Sequence, residues 1–176
     1  MKNFLHKQPL FFLLSTPPLD ACRRIRVCCS SPRTKYCILS TVNEKQKAEL
    51  KAIAALNATS FGSDDWYSSV GNILYLIHMS DGAYFTIRQD DQVIGYILLE
   101  LKPDGYHCAR RGVAPSAKNQ GLGTKLSKLG VRHARKMDVA YNTYMALDNY
   151  ASMNSNIKAG LGIIKIDDDW VYMRTY

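Results

Sequence analysis

The stretch RRGVAPSAKNQGLGTKL, residues 110–126, decides how the whole chain is read. A strand expected over Tyr106–Val113 leads into it and stops before Pro115, because proline has no N–H to give to a ladder. Beyond the glycines, Leu122, Leu126, Leu129 and His133 recur at helical spacing, so a helix is expected over 121–136. The order is strand, glycine-rich loop, helix. Glycines at 121 and 123 let backbone N–H groups approach an anion closely, where the positive end of the helix dipole favours negative charge. Two nucleotide motifs do not fit. A Walker loop needs lysine and then Ser or Thr directly after its last glycine, and Gly123-Thr124-Lys125 reverses them. A dinucleotide fingerprint needs GxGxxG, and only GxG is present. Since glycine pairs also mark plain turns, the loop alone does not name its ligand.

Outward from the loop the pattern stays regular. Tyr36–Val42 reads as a strand, Asn43 as a cap for a helix over Glu44–Asn57, and Phe61-Gly62-Ser63 as its break. A second helix is expected over Asp64–Met79, then a hairpin of Ala83–Arg88 and Gln92–Leu101. After the helix that follows the loop come a strand over Tyr141–Leu147, a short helix over Asn149–Lys158, and a last hairpin of Ile163–Ile166 and Trp170–Thr175. His133 on the apolar face reads as a packed or rim histidine, and Cys108 as a reduced, packed thiol.

Val113, Pro115, Gly121 and Gly123 in this stretch resemble the central motif of the GNAT N-acetyltransferase superfamily, Val-x-Pro followed by (Arg/Gln)-x-x-Gly-x-(Gly/Ala). Lys118 stands where that family usually has Arg or Gln, which keeps the cation and loses the planar fork. Downstream, Asn149, Ser152, Lys158 and Gly160 are similar to its Asn-x-x-(Ala/Ser)-x(5)-Lys-x-Gly-Phe signature. The resemblance implies an α/β (α+β) fold: a mixed, mostly antiparallel central sheet flanked by helices, with a splayed strand pair at the coenzyme site. It covers residues 36–176.

The same resemblance implies acetyl-CoA as co-substrate, with no metal. Lys118, Asn119, Gln120, Gly121, Leu122, Gly123 and Thr124 would hold the pyrophosphate, Gly112 and Val113 the pantetheine arm, and Asn149 would touch the arm from the next helix. A base must take a proton from the amine acceptor. Many members place a Glu eleven residues ahead of the motif's first position; here that residue is His107, which can serve near neutral pH. Glu100 is the alternative base. The acid is usually a tyrosine four residues before the second motif's glycine, and here it is Asn156. Ser152, Tyr150 and Tyr144 are the candidates to replace it, and water can protonate a thiolate without any of them.

Composition bounds the rest. With 47% apolar or aromatic residues the chain can bury a core. Of the formal charge of +8, residues 1–40 carry +6, from Lys2, Lys7, Arg23, Arg24, Arg26, Arg33 and Lys35 against Asp20. The basic balance describes residues 1–34, read as a poorly ordered extension, more than the acetyltransferase-like domain over 35–176, which argues against a nucleic-acid face on the fold. Cys22, Cys28, Cys29 and Cys37 show no zinc-like spacing. The apolar run Leu10–Leu14 is short for a signal peptide and far too short for a membrane span, so a cytoplasmic protein is expected. The acceptor and the oligomeric state, a homodimer included, stay open. Asp64 and Asp65 either draw a cationic amine or open a helix. Two other classes stand beside the enzyme: a catalytically weak acyl-CoA-binding or regulatory module, and attachment of the basic arm to nucleic acid or a membrane surface.

Overall fold

Asn43 opens α1 (Glu44–Phe61) with a reciprocal cap: its side chain accepts from the Gln46 N–H at 2.9 Å, and the Gln46 side chain accepts from the Asn43 N–H at 3.1 Å. Two N–H groups that a helix start leaves without partners are thereby satisfied. The computed structural model describes residues 42–175. The strand expected at Tyr36–Val42 lies outside them but for Val42, which forms a bend.

Asp64–Met79 is not one helix but a 3₁₀ turn, Trp66–Ser68, followed by α2 (Val70–Met79). Asp65 and Ser69 hold extended backbone, and the Asp65 carboxylate accepts from the Tyr67 N–H at 3.0 Å, so the chain starts twice instead of running through.

The strands are β1 (Ala83–Gln89), β2 (Gln92–Lys102), β3 (Gly105–Val113), β4 (Tyr141–Ala146), β5 (Leu161–Ile166) and β6 (Trp170–Thr175). Between them lie α3 (Leu122–Lys136) and α4 (Tyr150–Ile157). Among the described residues they form one six-stranded sheet in the order β1-β2-β3-β4-β6-β5, antiparallel throughout except where β3 meets β4. This is the mixed, mostly antiparallel sheet that was expected.

Helices cover both faces, which is why β2 reads as an unbroken apolar run rather than an alternating one. Tyr96 and Leu98 face α1 and α2 through Leu50, Ile53 and Ile73, while Ile97 and Leu99 face α3 through Leu126 and Val131. Each fully buried side chain of this size contributes about 1.5–3 kcal/mol. His133 packs on this second face against the Phe85 and Tyr106 rings, at 5.3 and 4.7 Å between centroids. Among the described residues no helix is long and apolar enough to cross a membrane.

Two irregularities of β3 open the sheet at its centre. Leu98 pairs with Arg110 and Leu99 with Cys108, so Ala109 is an extra residue, a bulge that turns the strand. Beside β4, β3 pairs only through Tyr106–Tyr141 and His107–Asn142, after which the two strands part.

Candidate active site

The loop after β3 ends in a helix start that no side chain among the described residues caps. Gly121 has φ +73°, the left-handed region that disfavours a side chain, and a Cβ built there would meet no atom within 4 Å. It supplies no side-chain cap to α3, and the first turn of α3 holds no acid. The first ladder bond is Lys125 N–H to Gly121 C=O at 3.1 Å, so the N–H groups of Leu122, Gly123 and Thr124 have no acceptor among the described residues. An uncapped N-terminus behind an open left-handed turn fits an anion such as pyrophosphate, the group that a coenzyme would bring. Lys118, Asn119 and Gln120 line the exposed outer edge of the turn. Asn119 is itself left-handed at φ +61°, which asparagine tolerates.

From the loop the parted edge of β3 runs inward past Val113 and Gly112, its polar groups unmatched by β4. Gly112 must be glycine for packing, because an added Cβ would lie 2.5 Å from the Tyr96 ring.

Consecutive arginines on β3 point to opposite faces. Arg111 faces α3 and α4. Its Nη1 donates to the Gly123 carbonyl at 3.2 Å, to Asn156 Oδ1 at 2.9 Å and to Ser127 Oγ, and its Nη2 donates to Ser152 Oγ at 2.7 Å. Ser127 donates to the same Asn156 oxygen at 2.7 Å. All of these acceptors are neutral, and none of the ion pairs among the described residues includes Arg111. Nearby, burial pushes up both the Cys108 thiol and the Tyr141 hydroxyl, with Arg111 pulling each the other way. Cys108 is the packed thiol that its surroundings in the sequence suggest.

Arg110 faces α1 and the 3₁₀ turn. It is ion-paired to Asp65 and lies over the Phe61 and Tyr67 rings at 4.6 and 5.2 Å. Asp65 also accepts from Asn57 Nδ2 at 2.8 Å, and Asn57, fully buried, accepts from the Tyr96 hydroxyl. Asp65 is therefore committed to holding the turn, and its charge is matched within the fold.

On this same face His107 sits directly across from Glu100. His107 Nε2 lies 2.7 Å from Asp104 Oδ1, which fixes the ring, and Glu100 is 3.3 Å from Lys102 Nζ. Burial pushes the Tyr67 hydroxyl up to about 12, the Glu100 carboxylate adds to that, Arg110 opposes it and Tyr144 contributes slightly. Tyr144 packs on Trp170 and Tyr172 at 5.5 and 6.1 Å. The two candidate bases thus stand together, beside an aromatic wall.

Of the candidates around α4, Asn149 and Ser152 stay together and Tyr150 does not. Asn149 caps α4, its side chain accepting from the Ser152 N–H at 3.1 Å, and Ser152 is bound to Arg111. Tyr150 stands in solvent, 66% exposed, apart from that cluster. The sequence reading missed Arg110, Arg111, Ser127 and Asn57. The signal available was two consecutive arginines inside an otherwise apolar strand, which must project to opposite faces.

Residues 48–155 match the acetyltransferase (GNAT) family. Among solved structures, a ribosomal-protein-S18-alanine N-acetyltransferase from Escherichia coli aligns at TM-score 0.59 with 14% identity, over 76% of this chain and 89% of that one. An IAA acetyltransferase from Bacillus cereus aligns at 0.56 with 17% identity, over 69% and 89%. The paia N-acetyltransferase of Thermoplasma acidophilum, solved in complex with coenzyme A, aligns at 0.54 with 15% identity, over 74% and 91%. No curated protein sequence matches the chain. At these identities the likeness to solved structures is one of fold.

Proposed function

The chain belongs to the GNAT acetyltransferase family, and from that premise we propose that it moves an acetyl group from acetyl-CoA to a primary amine by direct attack. The observation that carries the reading is the uncapped start of α3 behind Gly121, opening onto the gap between β3 and β4. Acetyl-CoA supplies, when bound, an acetyl group activated as a thioester. N–H groups of Leu122, Gly123 and Thr124 bind its pyrophosphate, with Lys118 adding charge at the rim. The unpaired edge of β3 at Gly112 and Val113 takes the pantetheine arm. Asn149 contributes chiefly by capping α4, which keeps Ser152 in place.

The acceptor approaches the face carrying Glu100, His107, Tyr67 and Tyr144. His107, oriented by Asp104, or Glu100 beside it removes the amine proton, directly or through water. Asp65 does not attract the amine, since Arg110 holds its charge. Residues 1–34 are read as an extension outside the acetyltransferase domain over 35–176.

A second reading is favoured by Asn156, whose oxygen receives two hydrogen bonds and whose amide is not an acid: a coenzyme-binding module with little turnover. Titration of acetyl-CoA into the purified protein tests the coenzyme site, and no binding overturns both readings. Thiol release with an amine library then separates them: release dependent on an amine supports the transferase, and binding without release supports the module.

A further inference from the structure

Arg111 is a cation whose partners leave its charge unmatched. Arg111 is half-buried. A guanidinium partly withdrawn from water is compensated by hydrogen bonds and by an opposite charge, and among the described residues Arg111 has the first without the second. One Nη2 hydrogen also has no acceptor among the described residues, since Nη2 makes a single bond, to Ser152. The four contacts tie β3 to the first turn of α3, to the middle of α3 and to α4, so the charge is fixed on the stretch of β3 that has parted from β4. The loop that suits phosphate lies at the exposed outer end. Two places for negative charge are thus offered along one channel.

Resting on the acetyltransferase reading above, we infer that Arg111 is a catalytic residue that faces the coenzyme sulfur and stabilises it as the departing thiolate. A C–N bond forms at the carbonyl carbon while the C–S bond breaks and its electron pair stays on sulfur. The amine proton leaves through the base on the opposite face, and water later protonates the thiolate. Asn156 and Ser127 hold the guanidinium, and no side chain of α4 donates the proton. The titratable groups facing Arg111 are Cys108 from β3 and Tyr141 from β4, and burial pushes the ionisation of both upward. From α3 and α4 come Ser127, Ser152 and Asn156, which do not titrate.

The test compares coenzyme A with desulfo-coenzyme A, which lacks the sulfur, by calorimetric titration from about pH 6.5 to about pH 9.5, a range spanning ordinary thiol ionisation at about 8.5. With the natural protein, coenzyme A affinity is expected to rise about tenfold relative to the desulfo form as the thiol ionises. Arg111→Gln should abolish that rise and Arg111→Lys should keep most of it, while both bind desulfo-coenzyme A within about twofold of the natural protein. If the two coenzymes track each other across pH in the natural protein, the inference is overturned with no variant needed. Equal weakening of coenzyme A, desulfo-coenzyme A and ADP by Arg111→Gln would also overturn it, by placing Arg111 on the phosphates. Absence of binding by all three to the natural protein would instead bring down the acetyltransferase reading and this inference with it.

Discussion

Replacing Gly121 by glutamate separates two things this residue does. The first is conformational: at φ +73° any L side chain costs about 1–2 kcal/mol. No neighbour lies within 4 Å of the added Cβ, so no clash is added to that cost. In a chain of 176 residues this corresponds to a fall in Tm of roughly 2–8 °C, the same for Gly121→Ala as for Gly121→Glu. The second is electrostatic. A carboxylate about 4 Å from a phosphate charge repels it by about 1 kcal/mol in a water-like medium and about 4 kcal/mol at a protein surface. At 1.4 kcal/mol per tenfold, acetyl-CoA affinity should fall by about fivefold to several hundredfold in Gly121→Glu, and far less in Gly121→Ala. Thermal melts read the first quantity and calorimetric titration the second. Repeating the titration at high salt should shrink the glutamate effect, because exposed charges are screened. A folded Gly121→Glu protein that binds acetyl-CoA within about twofold of the natural one would refute the placement of pyrophosphate at this helix start.

Other perturbations test other parts of the fold. Gly112→Ala puts a methyl 2.5 Å from the Tyr96 ring and should cost about 1–3 kcal/mol in urea unfolding, a loss that Tyr96→Leu in the same chain should partly restore. Asn57→Ala strips partners from Tyr96, Asp65 and Ser68 and should cost about 2–4 kcal/mol, whereas a value under about 0.5 would show that this network does not hold the 3₁₀ turn. Burial, helped by the charge of Lys136, holds the His133 imidazolium below its usual 6.5. The unfolded chain then takes up the proton first, so this contribution to stability is complete above pH 6.5 and is lost as pH falls below it. Urea midpoints should drop less on acidification in His133→Gln than in the natural protein. For the proton transfer, rate against pH should lose its lower limb in whichever of His107→Gln and Glu100→Gln removes the base, and an unchanged profile in both would exclude the pair.

Sequence alone determined the order of elements from Ala83 onward and the loop. Proline, glycine and a helical apolar row are local signals, each acting within a few residues, and together they placed every strand from Ala83 onward to within about two residues of its observed ends. They also singled out Gly121, whose left-handed turn is itself a local property. The break inside Asp64–Met79 was not legible, because it depends on Asn57 and Arg110 reaching Asp65 from other elements. The same holds for the candidate site. His107 and Glu100 became neighbours only through the β2–β3 register, and the bulge at Ala109 decided which arginine meets which face. Arg111 acquired four neutral partners from α3 and α4, elements that follow it in the chain by as many as 45 positions. Periodicity can say that a strand residue faces one side of a sheet; only the packed structure says what waits there, because a hydrogen bond or an unmatched charge belongs to a pair of distant groups and not to either one.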